Sequence, residues 1–321
     1  KGDLFEELDK NINVISLETK NALSSVIKLS KLIRKVKPHI AFSTLRYINF
    51  INILSCYLSF TRVKIIIRET NHHSEIKKNR GLFDYIIDYS YHLANKVIAL
   101  SNGVKEDIIL RTKINPRKIS VIYNPVDLEA INLKKKETLT NEDINFEKDI
   151  LKLVNVGHLE EQKGQEILIK AISKINNFPF KLYIVGEGNS RDYLSKLILE
   201  LGLSKKVFLL GYKKNPYKFI FNSDIFVLSS LWEGFGHVIV EAMACGTPVI
   251  ASNCKSGPSE IIHHNYDGIL ITPGSINELK SKLIELMNDK SKRNELSKNA
   301  LEKARKFDRE KIIKFYEQVF N

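Results

Sequence analysis

Glu233 and Glu241 stand in a segment that reads Ser-Ser-Leu-Trp-Glu-Gly-Phe-Gly-His-Val-Ile-Val-Glu-Ala-Met-Ala-Cys-Gly over residues 229–246. If both carboxylates face one cleft, they can accept hydrogen bonds from sugar or ribose hydroxyls. Gly234 and Gly236 lie between a short apolar run, Ile225–Leu228, and a helix-like stretch closed by Gly246. Glycines at a strand-to-helix turn let a ligand approach the backbone, and the free amides and dipole of the helix attract an anion. The chemistry on offer is recognition of a hydroxyl-rich, negatively charged molecule. The spacing fits equally well an ordinary surface glutamate on the helix and a loop glutamate that complements its dipole.

A second polar set follows the apolar run at Ile65, in Ile-Ile-Ile-Arg-Glu-Thr-Asn-His-His-Ser. If that run is a strand ending at a cleft, Glu69, Asn71, His72 and His73 are candidates to touch a transferred sugar or an acceptor. Adjacent histidines more often belong to a loop or a core, and no spacing here suits a metal. Asn189 and Arg191 are further candidates for a pocket rim, Arg191 being read chiefly as a surface residue that opens a helix. Other chemistries find no motif: there is no Asp-x-Asp pair, no phosphate-binding P-loop and no Gly-x-Ser-x-Gly elbow, and Gly-Glu-Gly-Asn-Ser at residue 186 is not a dinucleotide fingerprint.

The elements that must position these residues alternate along the chain. Short β-branched runs predict strands at Asn13–Leu17, His39–Ser43, Lys64–Arg68, Lys96–Leu100 and Lys118–Tyr123. The second half adds Leu151–Gly157, Phe180–Val185, Val207–Leu210, Ile225–Leu228, Thr247–Ala251 and Gly268–Ile271. Helical spacing falls between them, for example over Asn21–Val36, Gln165–Ile175, Arg191–Leu201 and Ile276–Asp289. Such alternation predicts parallel sheets covered on both faces, with ligands beyond the carboxyl ends of the strands. Residues 133–149 are polar, lack periodicity and read as a linker. The expectation is an α/β chain of two Rossmann-like domains facing a cleft, residues 1–132 and 150–305.

Length and composition agree. The chain has 321 residues, enough for two domains, with 43% hydrophobic and 27% charged side chains, which excludes wholesale disorder. No run reaches the roughly 18 apolar residues that span a bilayer, and Tyr47–Phe60, broken by Asn49 and Asn52, reads as a buried helix. Cys56, Cys245 and Cys254 lack metal spacing and suggest a reducing cytosol. The net charge is +13, and residues 21–120 hold 18 basic against 6 acidic side chains. A basic half suits phosphorylated or lipid partners, while a Lys-rich composition explains it as well. No nucleic-acid motif accompanies the charge, so nucleic acid is not expected.

The 229–246 segment resembles the glutamate–seven residues–glutamate signature of retaining glycosyltransferases of family 4, which have the GT-B fold. Val156-Gly157-His158-Leu159 with Gln162-Lys163-Gly164 resembles the first loop of that family's donor domain. Tyr183 to Gly188, Val207 to Gly211, Ser256 to Glu260 and Asp267-Gly268 resemble its later segments. Val97–Ser101 and Val121 to Asp127 resemble the end of its acceptor domain. The resemblance is specific over about 92–321 and weak before it.

That resemblance implies a donor domain over 150–305 that binds a nucleotide-sugar, an acceptor-side domain over 1–132, and a helix over 306–321 that returns to the first domain. It implies no cofactor and no metal. Lys163 would contact the donor diphosphate, with amides near Phe235, Gly236 and His237 holding phosphate or sugar. Glu241 would bind ribose, Glu233 the transferred sugar, and the backbone at Gly211 and Tyr212 the base. Gly157 and His158 would border the phosphates, His158 standing where the family usually has arginine. The expected catalytic set is Glu233, Lys163 and His158, and the expected reaction moves a hexose or N-acetylhexosamine from a nucleotide-sugar, with UDP the expected nucleotide, to a glycan or lipid-linked acceptor. An epimerase, or a non-catalytic nucleotide-sugar-binding protein, is the alternative. The latter draws on a start that reads as incomplete, with an acidic stretch, Asp3 to Asp9, where the family is expected to have a first strand and Gly-rich loop. Basic clusters at Lys28, Lys31, Arg34, Lys35 and Lys37, and at Lys77, Lys78 and Arg80, predict peripheral attachment to the inner, anionic face of the plasma membrane.

Overall fold

The computed structural model describes residues 8–76, 79–140, 150–176 and 178–321. Two parallel sheets carry the fold. The first holds β1 (Ile40–Thr44), β2 (Lys64–Glu69), β3 (Lys96–Ala99) and β4 (Ile119–Val121), in the order 1-2-3-4. The second holds β5 (Leu151–Val156), β6 (Phe180–Val185), β7 (Val207–Gly211), β8 (Ile225–Leu228), β9 (Val249–Ser252) and β10 (Ile269–Ile271), in the order 10-9-8-5-6-7. Every residue of β8 and β9 is buried, as both faces of each strand must be when helices cover the sheet. Strand direction of winding reverses between β8 and β5, where Val154 lies opposite Phe226. Such a switch point opens a crevice above the strand ends.

The apolar run after Leu45 forms the helix Arg46–Leu58, with Phe50, Ile51 and Ile53 buried. Its asparagines are buried because they find partners: Asn49 donates to the Arg68 carbonyl at 2.9 Å and Asn52 to Ser43 Oγ at 3.0 Å. The expected strand Asn13–Leu17 does not form. No described strand pairs with it, and Val14 and Ile15 are about half exposed. An apolar run becomes a strand only where a sheet edge receives it.

The passage between the halves also differs from the expected linker. The helix Leu128–Lys134 runs across its start, and its Ile131 is buried in the second half's core. Lys135 Nζ donates to the Ala244 carbonyl at 3.0 Å, and Asn215 Nδ2 to the Lys134 carbonyl at 2.8 Å. The chain has therefore joined the second half before residue 132, because Leu128 and Ile131 give that helix an apolar face to bury. Residues 141–149, the rest of the expected linker, lie outside the described residues, as do residues 1–7 with most of the acidic stretch and Lys77 and Lys78.

A second crossing returns the chain. Val126 N–H donates to the Phe307 carbonyl and Arg309 N–H to the Val126 carbonyl, each at 2.9 Å, so the two crossings run side by side. Tyr123, Phe235 and Phe307 pack ring to ring beside them, with centroids 5.3–5.7 Å apart. The helix Arg309–Phe320 then lies on the first sheet. Ile312 packs with Ile66, Ile98 and Ile122, and Lys64 Nζ binds the carbonyls of Val319 and Phe320 at 3.1 and 3.0 Å.

Candidate active site

The carboxyl ends of both sheets converge on a cavity of about 530 Å³. From the second half, β5 delivers Gly157 and His158, and the turn Glu161–Lys163 delivers Lys163. The loop after β8 brings Glu233, and the helix His237–Cys245 brings Glu241. From the first half, Thr70 and Asn71 follow β2, Leu100 follows β3 and Asn124 follows β4.

Glu233 and Lys163 face each other across the switch point. Lys163 Nζ donates to Glu233 Oε1 at 2.7 Å, and Ser230 Oγ donates to the same oxygen at 2.7 Å. Glu233 is only 6% exposed, so its charge is sustained by these two donors rather than by water. The loops carrying the pair are tied together: Leu231 N–H donates to the Gln162 carbonyl at 2.8 Å and Gln162 Nε2 to the Trp232 carbonyl at 3.0 Å. The Lys163 stem lies over Gly157, whose missing Cβ would touch it at 3.6 Å. Behind them burial, reinforced by the Glu233 charge, pushes the Cys254 thiol up to about 12. It stays protonated and is no nucleophile.

The helix His237–Cys245 begins at Gly236, which adopts φ 87°, a conformation that favours glycine. No side chain caps this helix, and its first turn has no acidic residue, so its positive end is left for an anion. Glu241 Oε1 accepts from the Tyr217 hydroxyl at 3.1 Å, with His237 Nε2 at 3.6 Å. Burial and then the Glu241 charge push the Tyr217 hydroxyl well above its ordinary range, which keeps it a donor. His237 Nδ1 is buried and has no hydrogen-bond partner among the described residues.

The cavity thus gathers Gly157, His158, Lys163, Glu233, Phe235, Gly236, His237, Glu241 and Asn71 from the sequence-derived candidates. Glu69, His72, His73, Asn189, Arg191, Gly211 and Tyr212 do not line it. Glu69 is fully buried and turned inward, accepting from Tyr91 Oη, from His73 Nε2 at 3.1 Å and from Thr70 N–H at 3.2 Å. His72 turns to Asp107, with Nδ1 and carboxylate 3.6 Å apart. Gly211 and Tyr212 sit at the end of β7 beyond this cavity, Tyr212 being 74% exposed. Arg191 opens a helix and pairs with Glu187 at 2.7 Å, as a surface residue would.

Sequence reasoning passed over Thr70, Leu100, Gln162 and Asn124 as lining residues and Ser230 and Tyr217 as supports. Thr70 and Gln162 had a usable signal, each being next to a candidate already chosen. Tyr217 had none, since it reaches Glu241 from another helix. Among the described residues no group of three or more His, Cys, Asp or Glu is arranged to hold a metal ion.

Comparison with known proteins places this geometry. The family model described as glycosyl transferases group 1 matches residues 137–303, and that described as glycosyltransferase family 4 matches residues 5–130. An uncharacterized glycosyltransferase of Methanocaldococcus jannaschii is 31% identical, over 97% of this chain and 85% of its own. The N-acetylgalactosamine-N,N'-diacetylbacillosaminyl-diphospho-undecaprenol 4-alpha-N-acetylgalactosaminyltransferase of Campylobacter jejuni is 31% identical, over 79% of this chain and 66% of its own length. The structure of Anabaena HepE in complex with UDP superposes with a TM-score of 0.78, at 24% identity, over 92% of this chain and 81% of that one. With one family model matched over residues 137–303, half of the chain, and a second over residues 5–130, the chain belongs to the group 1 and family 4 glycosyltransferases and has their GT-B fold.

Proposed function

We propose that the protein transfers a hexose or N-acetylhexosamine, with retention, from a UDP-sugar to a hydroxyl of a glycan or lipid-linked acceptor in cell-surface polysaccharide synthesis. The observation that carries this is the ion pair of the half-buried Lys163 with the buried Glu233, beside an uncapped helix N-terminus at the switch point. A diphosphate entering the cavity meets Lys163 and the first amides of the helix His237–Cys245, which stabilise the charge that grows on the leaving group. As Lys163 turns to phosphate, Glu233 is released to accept from sugar hydroxyls. Glu241, steadied by Tyr217, accepts from ribose. His158, exposed at the rim, adds charge when protonated. Attack comes from the face the diphosphate leaves, and the departing phosphate oxygen takes the acceptor proton. A UDP complex of Anabaena HepE and the diphospho-undecaprenol acceptor named for the Campylobacter relative support the choice of donor and acceptor.

Calorimetry with UDP and chelator tests the site. UDP is expected to bind without added metal, and Lys163→Ala to weaken it by about 1–3 kcal/mol. Glu241→Ala is expected to raise the UDP dissociation constant, whereas Glu233→Ala mainly lowers turnover. Unchanged affinity in Lys163→Ala would remove Lys163 from the donor site, and the reverse behaviour of the glutamates would exchange their roles.

The same reading includes attachment to the cytoplasmic face of a membrane. No described helix is long and apolar enough to cross one. The helix Leu82–Ser90 presents Leu82, Phe83, Tyr85, Ile86 and Tyr89 to solvent, while its Asp84 and Asp88 are buried against Arg46. Lys28, Lys31, Arg34, Lys35 and Lys37 are exposed on or just after the helix Ser25–Val36 in the same half. An apolar helix face with basic clusters nearby supports an interfacial anchor. Co-sedimentation with vesicles containing anionic lipid should fall with salt and be weakened by Leu82→Ser/Tyr89→Ser. Binding indifferent to both would leave a soluble acceptor.

A further inference from the structure

The helix Asn102–Thr112 belongs to the first half, but its N-terminus is occupied from the second. Glu260, in the short helix Pro258–Ile261, places Oε2 where it accepts from Asn102 N–H and from Asn102 Nδ2, both at 2.8 Å, and from the Tyr123 hydroxyl at 3.1 Å. Its Oε1 accepts from Gly103 N–H at 3.2 Å. A carboxylate on the free amides of a helix start satisfies both the orphan donors and the dipole. The halves approach closely here: a Cβ at Gly103 would lie 2.4 Å from Ser256 Oγ.

The residue that caps this helix touches the candidate active site. Ser101 is fully buried and its hydroxyl accepts from Val104 N–H at 3.2 Å while donating to the Gly234 carbonyl at 2.8 Å. Gly234 directly follows Glu233 and presses on the first half, where a Cβ would meet the Thr70 carbonyl at 1.8 Å. One helix start is therefore held by Glu260 on one side and holds the glutamate loop on the other. The Glu260 contacts with Asn102 lie at the exposed rim of the interface, so water can replace them when the halves part. The Ser101–Gly234 bond is buried and exists only when they are together.

We propose that this helix N-terminus is a closure latch, in which Glu260 and Ser101 are positioning residues that couple the approach of the two halves to the placement of Glu233. Closure seats Glu260 on the amides of Asn102 and Gly103, and the same helix start brings Ser101 to the Gly234 carbonyl. The inference rests on Glu233 belonging to the working site, but not on which nucleotide or sugar enters it.

Hydrogen exchange of the full chain, without nucleotide, tests it in Glu260→Ala, Glu260→Gln and Ser101→Ala. Peptides covering residues 232–237 are expected to exchange about tenfold faster in both alanine variants, with those of β5 and β6 unchanged. Glu260→Gln, which keeps one acceptor oxygen, is expected to retain part of the protection. Unchanged protection of 232–237 in both alanine variants would overturn the latch. So would a uniform loss that includes β5 and β6, which would mark the residues as merely structural. Failure to bind UDP would undo the proposed function and leave the outcome of this comparison standing.

Discussion

Glu233 holds its buried position with Lys163 and Ser230 as donors, and Lys163 is the one that carries charge. Removing Lys163 strands the Glu233 carboxylate away from water, whereas replacing both leaves two neutral side chains that pack. Lys163→Met is therefore expected to lower unfolding free energy by about 1–3 kcal/mol, and Lys163→Met/Glu233→Gln to recover part of that loss. Urea unfolding of the two single variants and the double variant measures the coupling. A coupling near zero would show that the 2.7 Å contact carries no weight in the folded protein. The pair also marks how far the sequence could be read. Both residues stand out by type and neighbours, but their mutual contact joins loops after different strands. Glu69 shows the opposite failure: its position at a strand end suggested the cleft, and Tyr91 and His73, from other elements, draw it into the interior.

At the scale of elements, parallel strands were legible because burial on both faces makes them short apolar runs, and boundaries shifted by only a few residues. What was not legible is which element a side chain would join. Asp107, on the helix Asn102–Thr112, accepts from His73 N–H at 3.0 Å, from Ser74 N–H at 3.3 Å and from Arg111 Nε at 2.8 Å, fastening the segment after β2 to that helix. Burial alone would raise its carboxyl, but Arg111 and the Ser74 hydroxyl outweigh it and hold it below the ordinary range. A depressed carboxylate stabilises the fold above its unfolded value, and that contribution disappears as pH falls through the folded one. Asp107→Asn should therefore be less stable at neutral pH, by about 1–3 kcal/mol, and lose less on acidification below the usual carboxylate range. Thermal melts of both proteins across that range check the sign; parallel pH profiles would contradict it. The helix Arg309–Phe320 offers a second test, because Ile312 is 2% exposed against the first sheet. Ile312→Ala should cost about 2–5 kcal/mol, measured by urea unfolding, whereas a loss below 1 kcal/mol would mean this helix is loosely held.

For the whole molecule, the two crossings between the halves are paired at one place, Val126 against Asp308, so any rotation of one half on the other would turn about that edge. Deleting Lys306–Asn321 removes one crossing, the Phe307 ring and the covering helix together. Small-angle scattering should then show a larger radius of gyration, and an unchanged curve would mean that the first crossing suffices. The returning helix also sets an order of events on the ribosome. The side of the first sheet that holds Ile66, Ile98 and Ile122 is covered by a segment translated only after the entire second half. Until then the nascent chain carries an unfinished apolar surface, a hazard for aggregation during synthesis. Translation that stalls within the second half should thus yield chains recognised by chaperones, even though every strand of the first sheet has already been made.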